Sequence, residues 1–290
     1  MSAAMPPEIV RKIEELTNER VKGFSLVGGG CINNGGRLVT DKGHYFVKWN
    51  DAQQYPGMFE AEAKGLALLR QPECIRVPVP VSHGHAGGYQ FLLLEHIEQA
   101  SKSRGYWDDF GVKLAALHRQ SSETFGLDHD NYIGSLPQYN DRDTSWIGFF
   151  VARRLRPQFE LAYQGNRIDV DVCRKFDALF EKLATMLPGE RPSLVHGDLW
   201  SGNLLADEGG EPCLIDPAVY YGNREVDLAM TQLFGGFENT FICAYNSVFP
   251  LLPGYSARFD IYNLYPLLVH LNLFGSSYRP QVVSILRQYV

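Results

Sequence analysis

Three polar residues between positions 194 and 227 constrain the fold and the chemistry of this chain more than any other feature. Asp198 is followed five residues later by Asn203, and a second aspartate, Asp216, comes after two short apolar runs. The sequence D-E-G-G at positions 207–210 separates these runs and is typical of a tight turn. The pattern therefore predicts a β-hairpin that returns Asp216 beside Asn203.

Each of these residue types suits one chemical task. A carboxylate can accept the proton of an attacking hydroxyl, which makes Asp198 the candidate general base. Mg2+ prefers a few hard oxygen ligands and keeps part of its water shell, which suits one amide oxygen from Asn203 and one carboxylate oxygen from Asp216. An aspartate base, an asparagine five residues on and a metal-binding aspartate occur in the same order in protein kinases, whose catalytic loop this pattern resembles.

Two other interpretations of the same residues stay open. A metal-dependent hydrolase could use His196, Asp198 and Asp216 as ligands, although Asn203 would then have no role and no second histidine follows at ligand spacing. Alternatively, H-G-D could be a simple turn and Asp216 a cap ahead of the next segment. The ordered set favours the kinase-like interpretation over both.

Composition and charge exclude several classes of protein. The chain has 290 residues, a net charge of -6 and no cluster of Lys and Arg, so we predict no nucleic-acid partner. The five cysteines are scattered without a C-x-x-C pair, which favours a reducing cytoplasm. The N-terminal residues lack an apolar signal core, and no apolar stretch reaches the ~18 residues of a membrane span. We therefore predict neither export nor a membrane partner.

The N-terminal part of the chain predicts a β-hairpin followed by a third strand, with a glycine-rich segment inside the hairpin. Glycines let the backbone approach a ligand closely and turn its N–H groups toward it, as a phosphate-covering loop requires. The residues predicted to cover a nucleotide in this way are Gly28, Gly29, Gly30, Cys31, Ile32 and Asn33.

A buried ion pair is predicted close to this segment. Strand alternation over residues 45–49 places Lys48 on the same face as an apolar side chain. In the following helix, Glu62 lies on the apolar stripe, whereas Glu60 can pair with Lys64 in solvent. A glutamate on a buried face needs a buried cation. We therefore predict that Lys48 pairs with Glu62 and is thereby placed on the nucleotide phosphates.

The fold class expected from these elements is α+β, with two lobes as in protein kinases. An apolar strand over residues 89–94 ends in a predicted hinge, where main-chain groups of Glu95 and Ile97 would meet the adenine. Residues 1–95 are expected to form a small nucleotide-binding lobe with an antiparallel sheet and a helix. Residues 96–290 are expected to form a larger, mostly helical lobe for catalysis and substrate binding.

Several longer motifs carry a more specific resemblance. They are H-G-D-L-W-S-G-N, I-D-P-A-V-Y-Y-G-N-R-E-V-D-L-A-M, G-G-G-C-I-N, F-V-K-W-N and D-N-Y-I-G-S-L-P-Q-Y-N. With these motifs the sequence resembles the fructosamine kinase (ketosamine 3-kinase) family over nearly its whole length, a branch of the aminoglycoside-phosphotransferase-like, protein-kinase-like fold. The resemblance implies that ATP and Mg2+ are used to phosphorylate the 3-hydroxyl of a ketosamine, a sugar joined through its C1 to an amine. The unstable product releases the amine, so the reaction serves deglycation.

The resemblance also implies roles for individual residues. Asp198 stays the base, and Asn203 and Asp216 stay the metal ligands. Trp200 is similar to the family residue that packs on the sugar-amine, and Asp227 to the aspartate that braces the catalytic loop from below.

The turn-rich segment over residues 125–138 is too long for a simple connector and is predicted to line a substrate pocket. Asn131 and Asn140 are the predicted substrate-binding residues of this region.

Two alternative functions stay open. One is another small-molecule kinase of the same fold that acts on an aminoglycoside or a choline-like amine, and the other is an inactive ATP-binding regulatory protein. The presence of the whole candidate set of base, metal ligands and phosphate-binding lysine argues against the inactive protein. The expected partner is a free or protein-bound ketosamine, and the expected state is a monomer or weak dimer.

Overall fold

The structure is a computed structural model, and it describes residues 5–27 and 33–290. The described residues form two compact units. The first unit contains the described part of Met1–Arg104 together with Leu205–Asp216, and the second contains Gly105–Leu204 and Pro217–Val290. The segment that carries Asp216 therefore belongs to the same unit as the N-terminal sheet. The predicted functional division at residue 95 stays a prediction.

Strands dominate the first hundred residues of the chain, and helices dominate the remainder. The strands are β1 (Val21–Leu26), β2 (Asn34–Thr40), β3 (His44–Asp51), β4 (Pro80–Ala86), β5 (Tyr89–Glu95), β6 (Asn131–Ile133), β7 (Leu136–Gln138), β8 (Ser193–Val195), β9 (Leu204–Ala206), β10 (Pro212–Leu214) and β11 (Tyr220–Gly222). The α-helices are α1 (Pro7–Thr17), α2 (Met58–Arg70), α3 (Tyr106–His118), α4 (Trp146–Phe149), α5 (Arg156–Gln164), α6 (Val170–Met186), α7 (Glu225–Leu233), α8 (Asn239–Val248), α9 (Tyr255–Phe274) and α10 (Arg279–Tyr289). A π-helical turn, Phe150–Leu155, joins α4 to α5.

The first unit is built on a five-stranded antiparallel sheet in the order β1-β2-β3-β5-β4. Strand β5 lies between β3 and β4 and is buried along most of its length, which explains its continuous apolar sequence. On one face, Val47 and Trp49 of β3 pack in a core with Ile9 and Ile13 of α1. Because side chains alternate along a strand, Lys48 points to the opposite face, toward α2. The predicted small lobe with an antiparallel sheet and a helix is therefore confirmed, and a second helix, α1, packs on the sheet as well.

Two short strands complete the first unit. Strands β9 and β10 form a two-stranded sheet around the turn at residues 207–210, where the N–H of Asp207 donates to the carbonyl of Glu211 at 2.9 Å. This is the hairpin that the apolar runs and the D-E-G-G turn predict. Its second strand ends at Leu214, two residues before Asp216.

The second unit is mostly helical, as predicted. Helix α9 is buried around most of its circumference, which suits a helix at the centre of a unit. Helices α3 and α8 pack closely because Gly111 of α3 has no side chain. A Cβ at this position would lie 2.4 Å from the carbonyl oxygen of Phe241. Strand β8 leads into the catalytic loop, which we define as residues 196–203, and pairs with the antiparallel strand β11. Within residues 5–27 and 33–290, none of the helices combines the length and the apolar run that a bilayer crossing needs.

Candidate active site

The first unit contains a buried lysine with two carboxylate partners. Lys48 Nζ lies 2.7 Å from Glu62 Oε1 and 2.5 Å from Asp216 Oδ1. Burial alone would lower the pKa of Lys48, but the charges of Asp216 and Glu62 outweigh it and raise the pKa. The predicted ion pair between Lys48 and Glu62 is thus present, and the lysine remains a cation. Glu60 pairs with Lys64 at 2.7 Å on the exposed side of α2, also as predicted.

Asp216 has an uncommon backbone conformation. Its φ of 54° lies in the left-handed region, which few residues other than glycine adopt and which aspartate tolerates better than most. The residue lies two positions after the end of β10 and precedes Pro217. Its carboxylate reaches Lys48, and its side chain is 47% exposed. A strained conformation that is kept at an exposed carboxylate supports a functional role for Asp216.

The predicted hinge residues have well-defined partners within the first unit. The carboxylate of Glu95 accepts from Arg76 Nη2 at 2.7 Å and from the N–H of Val79 at 3.1 Å. The N–H of Glu95 donates to the carbonyl of Val79 at 2.9 Å, so any main-chain contact of Glu95 with a nucleotide falls to its carbonyl. Ile97 is buried. The adenine-binding role of Glu95 and Ile97 stays a prediction.

Of the six residues predicted to cover a nucleotide, residues 28–32 lie outside the described residues. The sixth, Asn33, is described. Its side-chain oxygen accepts a hydrogen bond of 2.8 Å from the amide of Asn50, which is buried on β3 two residues beyond Lys48. The C-terminal end of the glycine-rich segment is therefore tied to the strand that carries Lys48.

In the second unit, the catalytic loop brings the predicted base and one predicted metal ligand together. The side-chain amide nitrogen of Asn203 donates to the carbonyl of Asp198 at 2.8 Å and to its carboxylate oxygen Oδ2 at 3.1 Å. Because the nitrogen serves as donor in this orientation, the amide oxygen is the atom with metal-ligand chemistry. A 3-10 turn, Ser201–Asn203, returns the chain so that these two side chains meet.

Asp227 braces the loop from helix α7, which confirms the role implied by the family resemblance. Its carboxylate accepts from the N–H groups of His196 and Gly197 at 2.7 and 2.9 Å. His118 Nε2 lies 3.1 Å from the same carboxylate. Burial would raise the pKa of Asp227, but the hydrogen bond and charge of His118 help to outweigh it and lower the pKa. Asp227 therefore stays ionised and holds the turn ahead of Asp198.

Three further contacts fix residues 196–198, which we call the catalytic turn. Gly197 has a φ of 82°, and a Cβ there would lie 2.0 Å from the carbonyl oxygen of Ala218. Only glycine fits this close approach. The N–H of Ala218 in turn donates to the carbonyl of His196 at 2.9 Å. The ring of His196 is buried and accepts from the N–H of Asp198 through Nδ1 at 3.3 Å, so this nitrogen is used inside the turn and does not support a role as metal ligand.

Trp200 presents part of its indole at the surface. The side chain is 39% exposed, and the ring lies over Gly202, where a Cβ would be 2.2 Å from an indole carbon. An exposed aromatic face in the catalytic loop suits contact with a sugar ring. The predicted packing of Trp200 on the sugar-amine stays a prediction.

Asn131 and Asn140 lie differently from the sequence-based expectation. Both side chains are buried inside the second unit rather than exposed at a substrate pocket. The amide of Asn131 donates to the carbonyl of Val219 at 2.8 Å, and the amide of Asn140 donates to Asn131 Oδ1 at 2.9 Å. Because buried amides need internal partners, these side chains are used for structure, and their position does not support direct contact with a substrate.

Comparisons with known proteins show similarity over nearly the whole chain. The family model described as "Fructosamine kinase" matches residues 5–290. A probable ketoamine kinase of Synechocystis sp. is 44% identical over 288 residues, covering 97% of this chain and 95% of the relative. A chloroplastic protein-ribulosamine 3-kinase of Oryza sativa subsp. indica is 41% identical over 276 residues, covering 93% and 80%. The crystal structure of a Thermobifida fusca protein assigned as a fructosamine-3-kinase superposes with a TM-score of 0.89 at 32% identity, covering 98% of each chain.

Proposed function

Because this chain belongs to the fructosamine kinase family, we propose that it transfers the γ-phosphoryl group of ATP to the 3-hydroxyl of a ketosamine. The chain is a kinase, and its proposed substrates are fructose- or ribulose-derived adducts of amines, including protein lysines. The proposal rests on two groups of residues within the family match over residues 5–290. Lys48 forms ion pairs with Glu62 and Asp216, and the Asn203 amide donates to the carboxylate of Asp198.

Mg2+ fits the donors that the chain offers. Asp216 supplies a half-exposed carboxylate and Asn203 an amide oxygen, and hard oxygen donors are what this ion prefers. We propose that these two residues hold the ion together with the nucleotide phosphates. When bound, it would neutralise the negative charge that develops on the transferred phosphoryl group. Lys48, held as a cation by Glu62, would bind the phosphates directly.

Asp198 would accept the proton of the 3-hydroxyl as that oxygen attacks phosphorus. Its carboxylate is oriented by the amide of Asn203, and its backbone is fixed by the turn that Asp227 holds. Such orientation would hold the base ready for a bound hydroxyl, and positioning of a catalytic group in advance lowers the barrier to reaction. Trp200 would support the sugar-amine junction with its exposed face.

The proposed product carries phosphate on O3, which makes the sugar-amine linkage unstable and frees the amine. Protein deglycation is the consequence when the amine is a lysine side chain. The scattered cysteines make the cytoplasm the proposed location, and a monomer or weak dimer is the proposed state.

The test is an acceptor panel with the purified protein, ATP and Mg2+. Ribulosyl-lysine and fructosyl-lysine should be phosphorylated, whereas unmodified lysine, a free aldose and an aminoglycoside should be poor acceptors. Phosphorus NMR of the product should place the phosphate on O3. Transfer to the aminoglycoside with no turnover of either ketosamine would move the protein to the other kinase class. ATP binding with no turnover of any acceptor would identify an inactive regulator.

A further inference from the structure

A fully buried arginine without an acidic partner lies inside the second unit. Arg154 is 0% exposed and sits in the π-helical turn Phe150–Leu155, a geometry often found at functional positions. Among the described residues, no carboxylate forms an ion pair with its guanidinium, and the neighbouring Arg153 pairs with Asp141 instead. A buried charge without a counter-ion carries a large desolvation cost, so its presence requires an explanation.

The guanidinium of Arg154 is surrounded by ring faces and neutral acceptors. Its central carbon lies 3.9 Å from the centroid of the Tyr220 ring and 5.6 Å from that of Tyr265. Nη1 donates to the carbonyl of Tyr139 at 2.5 Å, and Nη2 donates to Asn140 Oδ1 at 2.7 Å. Arginine matches such a site because its planar group can stack on rings while its edge donates several hydrogen bonds.

From Asn140 the contacts continue through three amides, Asn131, Gln138 and Asn140, which we call the amide network. Gln138 Nε2 donates to Asn131 Oδ1 at 2.8 Å and to the carbonyl of Ala218 at 3.0 Å. Asn131 donates to the carbonyl of Val219 at 2.8 Å. The network therefore ends on the carbonyls of two consecutive residues.

Those two residues lie against the catalytic turn. The carbonyl oxygen of Ala218 occupies the space where Gly197 would carry a side chain, and the N–H of Ala218 donates to the carbonyl of His196. Tyr265 contacts the network from another side, because its hydroxyl donates to Gln138 Oε1 at 2.8 Å. Burial raises the pKa of Tyr265. The positive charge of Arg154 acts to lower this pKa and the negative charge of Asp198 acts to raise it, so the Tyr265 hydroxyl experiences the charge of both groups.

We propose that Arg154 is a positioning residue, which holds the amide network and thereby fixes the carbonyls of Ala218 and Val219 against the catalytic turn. This inference rests on the proposed function, since it assigns Asp198 as the base. Arg154 acts through these contacts and not by touching substrate or nucleotide. Asp227 holds the turn through its N–H groups, and the amide network supports the backbone on which the turn packs.

The role predicts a specific kinetic effect. A misplacement of a catalytic group by about 1 Å can cost roughly 100-fold in rate. We expect Arg154→Met, which keeps a long side chain but removes charge and donors, to lower kcat about 100-fold while both KM values change less than about twofold. Arg154→Lys, which keeps the charge, should have a kcat between those of Arg154→Met and the parent. Tyr265→Phe, which removes one hydroxyl and keeps the ring, should lower kcat roughly threefold to tenfold.

The control is Phe176→Leu, a change in the aromatic cluster where Phe176 stacks on Phe159 at 5.1 Å. It should lower Tm without changing kcat. Steady-state kinetics with ATP and ribulosyl-lysine would be combined with hydrogen exchange of peptides that contain Gly197 and Ala218. Both amides should exchange faster in Arg154→Met and Tyr265→Phe than in the parent, and at the parental rate in Phe176→Leu.

The outcomes separate the two proposals. If the parent phosphorylates no ketosamine, the proposed function fails, whereas faster exchange in the variants would still support the positioning role. The positioning role is overturned if the parent is active and the folded Arg154→Met variant keeps the parental kcat. It is also overturned if this variant changes only the KM for the acceptor. If Arg154→Met does not fold, Arg154→Lys and Tyr265→Phe decide by the same criteria. The positioning role would also be overturned if the amides of Gly197 and Ala218 exchanged as fast in Phe176→Leu as in Arg154→Met.

Discussion

Replacing Asp227 by asparagine tests how the catalytic loop is held. The carboxylate accepts two backbone N–H groups, from His196 and Gly197, and contacts His118, and it is 1% exposed. Asn is close to Asp in volume but offers one acceptor oxygen and two amide protons. In Asp227→Asn, at least one of these donors therefore loses its acceptor or faces another donor.

The magnitude follows from the hydrogen bonds that are lost. Hydrogen bonds to charged groups contribute about 1.5–3 kcal/mol each, and a buried donor without a partner costs about 1–3 kcal/mol. Breaking a buried charge interaction by removing one partner costs about 3–5 kcal/mol in measured cases. We therefore expect Asp227→Asn to lower the free energy of unfolding by about 3–5 kcal/mol at neutral pH. The rate of phosphoryl transfer should also fall, since the turn before Asp198 loosens.

The effect should depend on pH in a defined direction. Burial acts to raise the pKa of Asp227, but its hydrogen-bonding and charged neighbours lower it below the ordinary value of 3.8. A carboxyl whose pKa is lowered on folding stabilises the folded state above its unfolded pKa, and this stabilisation is lost as pH falls through the folded pKa. The difference between parent and Asp227→Asn should thus be constant from about pH 7 to 5 and shrink below about pH 4.

The assay is urea unfolding of both proteins, followed by circular dichroism at several pH values. Glu60→Gln provides a matched carboxyl-to-amide control, because the pair of Glu60 with Lys64 is exposed and should contribute less than about 1 kcal/mol. A loss in Asp227→Asn no larger than that of the control would refute the bracing role. A loss that stays constant down to about pH 3 would refute the electrostatic reasoning.

Three further predictions concern catalysis. Asp198→Asn should lower kcat by about 100- to 10,000-fold with nearly unchanged ATP binding, measured by steady-state kinetics and calorimetry, and turnover within a few-fold of the parent would exclude this base. Asp216→Ala and Lys48→Ala should both weaken productive binding of ATP, and a titration with Mg2+ that rescues only Lys48→Ala would contradict the assignment of Asp216 as metal ligand. Trp200→Ala should raise the acceptor KM far more than the ATP KM in the same kinetic assay, and equal changes would place Trp200 elsewhere.

The parts of the fold that the sequence predicts are those that depend on short-range patterns. The α+β class, the small sheet and the β9–β10 hairpin follow from alternation and turn residues that are neighbours in the chain. The partner of Lys48 was also predictable, because one glutamate of α2 lies on the apolar stripe and the other does not. Such local asymmetry identifies a buried charge without knowledge of the tertiary structure.

The rule that a charged residue on an apolar helix stripe is buried would also have singled out Arg154. It lies four residues after Phe150 and eight after Trp146, so it continues an apolar stripe just as Glu62 does. Its partners could not be predicted, because they are carbonyls and rings rather than an oppositely charged residue. The burial of Asn131 could not be predicted for a related reason. Its backbone partner, the carbonyl of Val219, is 88 residues away, and only tertiary packing decides which face of a short hairpin turns inward.

The spacing of the catalytic motif itself has a structural cause. The one-residue gap between His196 and Asp198 must be glycine, because the carbonyl of Ala218 fills the place of a side chain. The five-residue step from Asp198 to Asn203 contains one 3-10 turn, Ser201–Asn203, which folds the asparagine amide back onto the aspartate. A second glycine, Gly202, lies under the indole of Trp200, where a methyl group would displace the ring. The order H-G-D-L-W-S-G-N is therefore a consequence of two close approaches and one tight turn, and a residue inserted between Asp198 and Asn203 would separate the base from the amide that orients it.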